Sequence, residues 1–356
     1  MDRIAFVVGE NFIYWNSIFL TLGAGVAICF FLSFYIGKCG NAVAGIAEVP
    51  LSIVLRLVLA RFFHWYSRSD SYVGFLAAMT DYTSGGYTLL GVFAGCALAA
   101  VITRILFLHR NLPRMLDCMS IAGCAGIVVG RLASFFNSSD RGQVIESLKS
   151  LPWVYPVTNA MSGALEYRLA TFVIQSMVAL VLFLALAVFY VRGQKKGLKD
   201  GDTCLVFLLC YGASQVILDS TRYDSLFFRS NGFVSIVQVM GALALGLVIV
   251  LFSIRMVKAR GFKFWFVPIW VVIAAAIGGA GFMEYYVQRH GDQAAFAYSV
   301  MSSCLAVIIA LTLLIRFAAV RAEGKAEKLV DEAKRHDERR AVFATRAIDK
   351  SCRKRV

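Results

Sequence analysis

The stretch Cys118-Met119-Ser120-Ile121-Ala122-Gly123-Cys124-Ala125-Gly126-Ile127-Val128-Val129-Gly130-Arg131 follows Asp117 and meets no charge before its final arginine. Polar Ser134, Asn137, Ser138, Ser139 and Asp140 come soon after it. An apolar run closed by a cation and a polar segment reads as a membrane helix whose last turn carries Arg131. A guanidinium is costly to strip of water, so at membrane depth it faces an anion or a water-filled cavity. Lipid headgroup phosphates are the commonest anions at that depth. Taken alone, Arg131 has a second reading, a snorkelling side chain that only marks the end of a span.

Composition places the whole chain in the same class. Of its 356 residues 59% are hydrophobic and 16% charged, with 28 phenylalanines. No soluble domain hides that much apolar surface, so an all-α polytopic membrane protein is expected. The net charge of +14 is not a nucleic-acid signal, because the cations crowd into the C-terminal tail and the short loops. The nine cysteines are scattered, most of them inside apolar runs, and none shows CxxC spacing. That pattern indicates neither a disulfide framework nor a zinc site.

A span needs about 20 apolar residues. Nine segments qualify: 12–36, 49–66, 87–108, 118–136, 169–191, 204–218, 234–253, 264–287 and 295–316. The first is too long, and Arg3 too little basic charge, for a cleavable signal peptide. The second carries Arg56 and Arg61, so one side of it must meet protein or water. Aromatic pairs such as Tyr14-Trp15, Trp65-Tyr66 and Tyr285-Tyr286 sit at span ends, as interfacial belts do.

Loop charges set the orientation. Lys38; Arg104, Arg110 and Arg114; Arg192, Lys195, Lys196 and Lys199; and Arg255, Lys258, Arg260 and Lys263 fall in alternate loops. With the basic tail they belong in the cytoplasm, which puts the N-terminus outside and the C-terminus inside. Arg61, Arg131 and Arg222 then lie at outer ends of three separate spans, beside the long outer loop 137–168. Three arginines at one leaflet look like a phosphate-binding arrangement. Tyr211, Gln215 and Asp219 follow at i, i+4 and i+8, one polar helix face that is either interhelical glue or a site. Arg222 can pair with Asp219 or Asp224.

At this point the chain resembles the bacterial prolipoprotein diacylglyceryl transferases. The similar pieces are Ile13-Tyr14-Trp15, Ala60-Arg61-Phe62-Phe63, Gly85-Gly86 with Gly91, and Gly130-Arg131 with Phe135 and Asn137. Thr171-Phe172, Tyr211-Gly212, and Arg222 with Asp224-Ser225-Leu226 complete the set, in order, over about residues 12 to 255. Departures stand beside them. Where the family places a histidine or tyrosine before Gly-Gly, this chain has Leu90-Gly91-Val92. Ser134 and Ser139 replace an asparagine and an acidic residue, Gln175 another acidic residue, and Gln215 an arginine whose acidic partner is here Asp219.

The resemblance implies transfer of diacylglyceryl from phosphatidylglycerol to the lipobox cysteine thiol of a prolipoprotein, in a bacterial cell membrane. Partners would be phosphatidylglycerol, a signal peptide with its lipobox cysteine, and the bilayer; no cofactor or metal is called for. Such chemistry needs cations for the departing phosphate and a base or positive potential to lower a thiol pKa of about 8.5. The implied binding residues are Arg131, Arg222, Arg61, Asn137 and Gln215. The implied catalytic groups are Asp219 and Asp224 as bases and Tyr211 as a hydrogen-bonding helper. His64 is a substitute base or an aromatic-belt member, given its Phe62-Phe63-His64-Trp65 context. A catalytically degenerate relative that binds phospholipid or prolipoprotein without turnover is the alternative.

The expected organisation is a transferase-like membrane domain over 1–258, two further spans within 259–320, and a charged helical cytoplasmic tail over 321–356. The topology has a direct check. Cysteine-accessibility labelling should find position 196 inside and position 155 outside, and the reverse at either position overturns the orientation.

Overall fold

The computed structural model describes residues 4–9, 11–39, 41–68, 72–80, 86–107, 111–136, 141–145, 154–158, 162–195, 198–222, 225–228, 231–290 and 293–353. Among these residues ten α-helices carry the chain: α1 Trp15–Cys39, α2 Ala42–Ser67, α3 Phe75–Thr80, α4 Leu89–Leu106, α5 Leu112–Leu132, α6 Thr171–Gln194, α7 Asp202–Ser220, α8 Ile236–Arg260, α9 Phe266–Arg289 and α10 Ala294–Arg353. Among the described residues nine of these, all but the short α3, are long and apolar enough to cross a membrane. The protein is an all-α polytopic membrane protein.

Among the described residues there are three small antiparallel hairpins, one before α1 and two between helices, and the apolar pattern gave no warning of them. They are β1 Ile4–Val8 with β2 Asn11–Tyr14, β3 Val154–Thr158 with β4 Leu165–Leu169, and β5 Phe227–Phe228 with β6 Asn231–Ser235. The second span also starts earlier than expected, at Ala42 instead of 49. Asn41 caps it through its side-chain oxygen at 3.1 Å from the Ala44 amide, and Pro50 sits inside the helix. Proline is tolerated inside membrane helices where neighbouring groups re-satisfy the freed backbone carbonyl. The ninth span and the tail form one unbroken helix, α10, of 60 residues.

Two compact units make up the chain, Met1–Gly246 and Leu247–Val356, with the division inside α8. In the first, α5 is the hub, packed on α1, α6 and α7. Close approach rests on small residues, as it does between helices in lipid, where apolar burial gives no drive. A Cβ on Gly23 of α1 would stand 2.7 Å from the Gly126 carbonyl oxygen of α5. A Cβ on Gly95 of α4 would stand 2.6 Å from the Arg56 backbone nitrogen of α2, and one on Gly91 would overlap the backbone of Ala60. Arg56 itself turns back on α2, donating to the Ser52 carbonyl at 3.0 Å and to its hydroxyl at 3.0 Å. In the second unit, Arg255 of α8 forks onto Glu323 of α10 at 2.8 and 2.9 Å, and Trp270 of α9 donates to Ser253 at 3.1 Å.

One polar contact fixes the α5–α7 pair. Asp117, fully buried in the first turns of α5, accepts from the backbone N–H groups of Gly201 and Cys204, both at 2.7 Å. Those amides open α7 and have no intrahelical partner of their own. Gly201 holds a left-handed φ of 94°, which lets the chain turn into the helix there. Arg114 and Asp200 add an ion pair of 2.8 Å beside it.

Successive spans run in opposite directions, so α2, α5 and α7 end at the membrane face where α1, α4, α6 and α8 begin. The β1–β2 hairpin leads into α1 at that face, and the other two hairpins join helices there; it is termed the arginine face. Asp117→Leu should destabilise the protein by about 1–3 kcal/mol for each orphaned amide, while Asp117→Asn, which keeps one acceptor, should cost less. Thermal unfolding in detergent reads this directly, and an unchanged midpoint for the leucine variant would remove the capping role.

Candidate functional site

The C-terminal turn of α7 is where polar groups gather. Asp219 is buried, with 2% of its surface exposed. Its Oδ1 faces Arg222 Nη1 at 3.4 Å, and its Oδ2 accepts from the Ser235 hydroxyl. Its backbone carbonyl accepts from the Ser225 hydroxyl at 2.8 Å. Arg131, in the last turn of α5, is close enough to act electrostatically on the same carboxylate. Arg222, just past the end of α7, thus pairs with a buried acid at the arginine face, and Arg131 at the end of α5 adds positive potential there.

Ser235 is placed by the start of α8. Its N–H donates to Gln238 Oε1 at 2.9 Å, and the Gln238 N–H donates back to its hydroxyl oxygen at 3.1 Å. This reciprocal pair is a capping box, Ser-x-x-Gln. A hydroxyl offers one proton and two lone pairs, so it can accept from the helix and still donate to Asp219. Gln238 Nε2 continues the chain to the Val216 carbonyl at 3.3 Å.

Behind Arg222 the backbone is fixed by a short extended segment, 141–145. Gly142 bridges Arg222, its N–H donates to the Leu169 carbonyl at 2.8 Å, and the Gln143 N–H donates to the Thr221 carbonyl at 3.0 Å. A Cβ at Gly142 would come within 2.7 Å of both Leu169 Cβ and Thr171 Oγ1, so only glycine lets the strand lie this close. Arg141, next to it, lies between the rings of Tyr155 and Phe172 at 4.5 and 4.7 Å and donates to the Ser134 carbonyl at 3.0 Å.

The other residues expected at the site fall in different surroundings. Gln215 is buried one turn beneath Asp219, and its Nε2 has no hydrogen-bond partner among the described residues. Tyr211, a further turn down, stacks on Phe207 at 5.2 Å and meets Phe93 of α4 edge-on at 5.6 Å. Arg61 braces the entry to α4, donating to the carbonyls of Ala78 at 2.6 Å and Gly86 at 3.1 Å. Its guanidinium also lies over the rings of Tyr72 and Tyr87. Asn137 and Asp224 lie outside the described residues.

Sequence reasoning overlooked Ser235, Gln238 and Arg141. The first two had a readable sign, a Ser-x-x-Gln capping pattern directly before an apolar run. Arg141 had none, since a cation in a polar loop is ordinary.

A family model described as prolipoprotein diacylglyceryl transferase matches residues 3–254, which include every site residue named above. The chain belongs to the prolipoprotein diacylglyceryl transferase family. A relative from Lactococcus lactis subsp. cremoris is 30% identical over 275 residues, covering 72% of this chain and 96% of its own. One from Streptococcus uberis is 24% identical over 260 residues, again with 72% and 96% covered. Both are named phosphatidylglycerol–prolipoprotein diacylglyceryl transferase. The match ends before α9, so the last two spans and the tail are additions to the shared part.

Paired cations at a membrane face suit an anionic headgroup. Arg131→Ala and Arg222→Ala should each weaken retention of anionic phospholipid by ~1.5–3 kcal/mol, the scale of a hydrogen bond to a charged group. Lysine at either position should restore little, because a point charge lacks the guanidinium fork. Native mass spectrometry measures the bound lipid, and full retention by both alanine variants would remove the site.

Proposed function

We propose that this chain transfers the diacylglyceryl group of phosphatidylglycerol to the lipobox cysteine thiol of a secreted lipoprotein precursor, at the outer face of a bacterial cell membrane. The observation that carries the reading is the convergence of Arg131 and Arg222 on Asp219 at one membrane face, in a chain of this family. The relatives reported above are named for turnover of these substrates, which favours an enzyme over a protein that only binds lipid.

The geometry suggests a division of labour. The phosphate of phosphatidylglycerol lies against Arg131 and Arg222, which meet the negative charge that grows as its ester bond breaks. Asp219 serves by holding Arg222; with one oxygen engaged by the arginine and the other by Ser235, its carboxylate is an orienting group. Fixing the guanidinium beforehand spares the reaction the work of arranging it. Gln215 and Tyr211 line the polar face beneath, and Asn137 and Asp224 stay in the proposal as neighbours in sequence. The bilayer supplies the lipid substrate laterally, and the signal peptide brings the cysteine to the same interface.

The test is mass spectrometry of a lipobox peptide incubated with purified protein in phosphatidylglycerol bilayers. A thioether-linked diacylglyceryl peptide is the expected product, and Arg222→Ala should make it roughly 100-fold more slowly, the range found for removing one preorganised charge-stabilising donor. Retention of phosphatidylglycerol with no product from the wild type would sink the transferase reading.

A further inference from the structure

The transfer begins with loss of a thiol proton, and the carboxylates described at the arginine face are already engaged. Asp219 accepts through both oxygens, and Glu166 is held by Arg168 at 2.7 Å. A basic nitrogen remains at the neighbouring mouth of the α2–α4 pair. His64, in the last turn of α2, has Nδ1 3.1 Å from the Tyr72 hydroxyl, with the two rings edge-on at 6.0 Å. Its Nε2 has no hydrogen-bond partner among the described residues.

The surroundings hold that ring in place. Gly86, at φ 84°, lies so close that a Cβ there would stand 2.5 Å from His64 Cε1 and 2.7 Å from Nδ1. The same Cβ would be 2.9 Å from Arg61 Nη1, and Arg61 donates to the Gly86 carbonyl. Arg61 and Arg68 both act electrostatically on His64, and the Arg61 guanidinium covers the Tyr72 ring at 5.2 Å. This is a built arrangement: imidazole, phenol and guanidinium locked over a glycine that no other residue could replace without strain.

The mouth of α4 and the arginine site share one membrane face. Phe93 of α4 touches Tyr211 of α7 at 5.6 Å between ring centroids. Asp219 is eight residues beyond Tyr211, about 12 Å higher along the helix, and Gly86 is seven residues before Phe93 in the opposite direction of chain. Both therefore stand above that aromatic contact, at the same membrane face.

We propose that His64, held by Tyr72 and seated on Gly86, is the general base that takes the proton of the acceptor cysteine thiol. The proposal rests on the transferase reading. With Nδ1–H donating to the Tyr72 oxygen, Nε2 carries the lone pair and accepts the thiol proton. The sulfur electron pair forms the S–C bond to the glyceryl carbon, the C–O bond to phosphate breaks, and that bond's electrons leave on glycerol phosphate. The phosphate monoester so formed takes the proton from His64, which returns the base to its starting state. Arg61 and Arg68 provide positive potential that favours the thiolate. His64 is a catalytic residue in this scheme, and Tyr72 a positioning residue.

His64→Ala, His64→Gln and Tyr72→Phe, compared with wild type in phosphatidylglycerol bilayers, test the assignment. The measurements are thioether product on a lipobox peptide, phosphatidylglycerol retained by native mass spectrometry, and product after added imidazole. Both His64 variants should lose roughly 100-fold or more in turnover while retaining lipid as the wild type does. Imidazole should restore part of the rate to His64→Ala and none to His64→Gln, whose side chain fills the space. Tyr72→Phe should lower kcat several-fold and leave the peptide KM unchanged. Product at the wild-type rate from His64→Ala overturns the proposal and leaves the transferase reading standing. So does lost turnover that imidazole fails to restore, which would make His64 a packing residue. A wild type that makes no product removes both.

Discussion

The carboxylate of Asp117 is the contact on which the rest of the first unit depends. It lies at the far end of α5 from Arg131 and closes the first turn of α7, whose last turn carries Asp219. A buried carboxylate is tolerable only when its charge or hydrogen-bonding capacity is met, and here two backbone donors meet it. The contact thereby sets the axial register of α5 against α7. Register at one end decides which residues stand level at the other, about 28 Å away for a helix of 19 residues. Arg131 and Asp219 can act on one another because the helices are pinned at the opposite face.

Glycines then set lateral distance. Gly23 and Gly126 bring α1 onto α5, and Gly91 and Gly95 bring α4 onto α2 so closely that side chains cannot intervene. Leu22, Val54, Leu98 and similar exposed apolar residues on the same helices face outward, as lipid-facing positions should. The division of roles is physical: small residues where backbone meets backbone, large apolar ones where helix meets solvent hydrocarbon, polar ones where the chain leaves the membrane.

Much of this was legible in the sequence because the signals were strong and one-dimensional. Apolar length alone located the nine spans found among the described residues, and the arginine at the end of the 118–131 run marked the last turn of α5. Arg222 and Asp219, close in sequence, were rightly read as partners able to pair. What escaped the reading depends on three-dimensional return. Arg61 looks like Arg131 in a string of residues, yet folding surrounds it with the carbonyls of Ala78 and Gly86, to which it donates. Asp219 was read from its helix face and Arg222 alone; its second partner, Ser235, is sixteen residues away across a hairpin that apolar periodicity does not encode. The expected second span began at 49, just after the charge of Glu48, whereas the helix runs through that residue from Ala42. His64 was read as a substitute base or an aromatic-belt member, and the sequence could not decide between them, since nothing local links it to Tyr72 or Gly86.

The hydroxyl of Ser235 belongs to two structures at once, the first turn of α8 and the acid that steadies Arg222. Thermodynamic reciprocity follows from that shared atom. Whatever tightens the arginine–aspartate pair also tightens the start of α8, and fraying of that turn loosens the pair by the same free energy. Occupancy of the proposed phosphate site should therefore be written into amide hydrogen exchange at the first residues of α8, more than a dozen residues along the chain from Arg222.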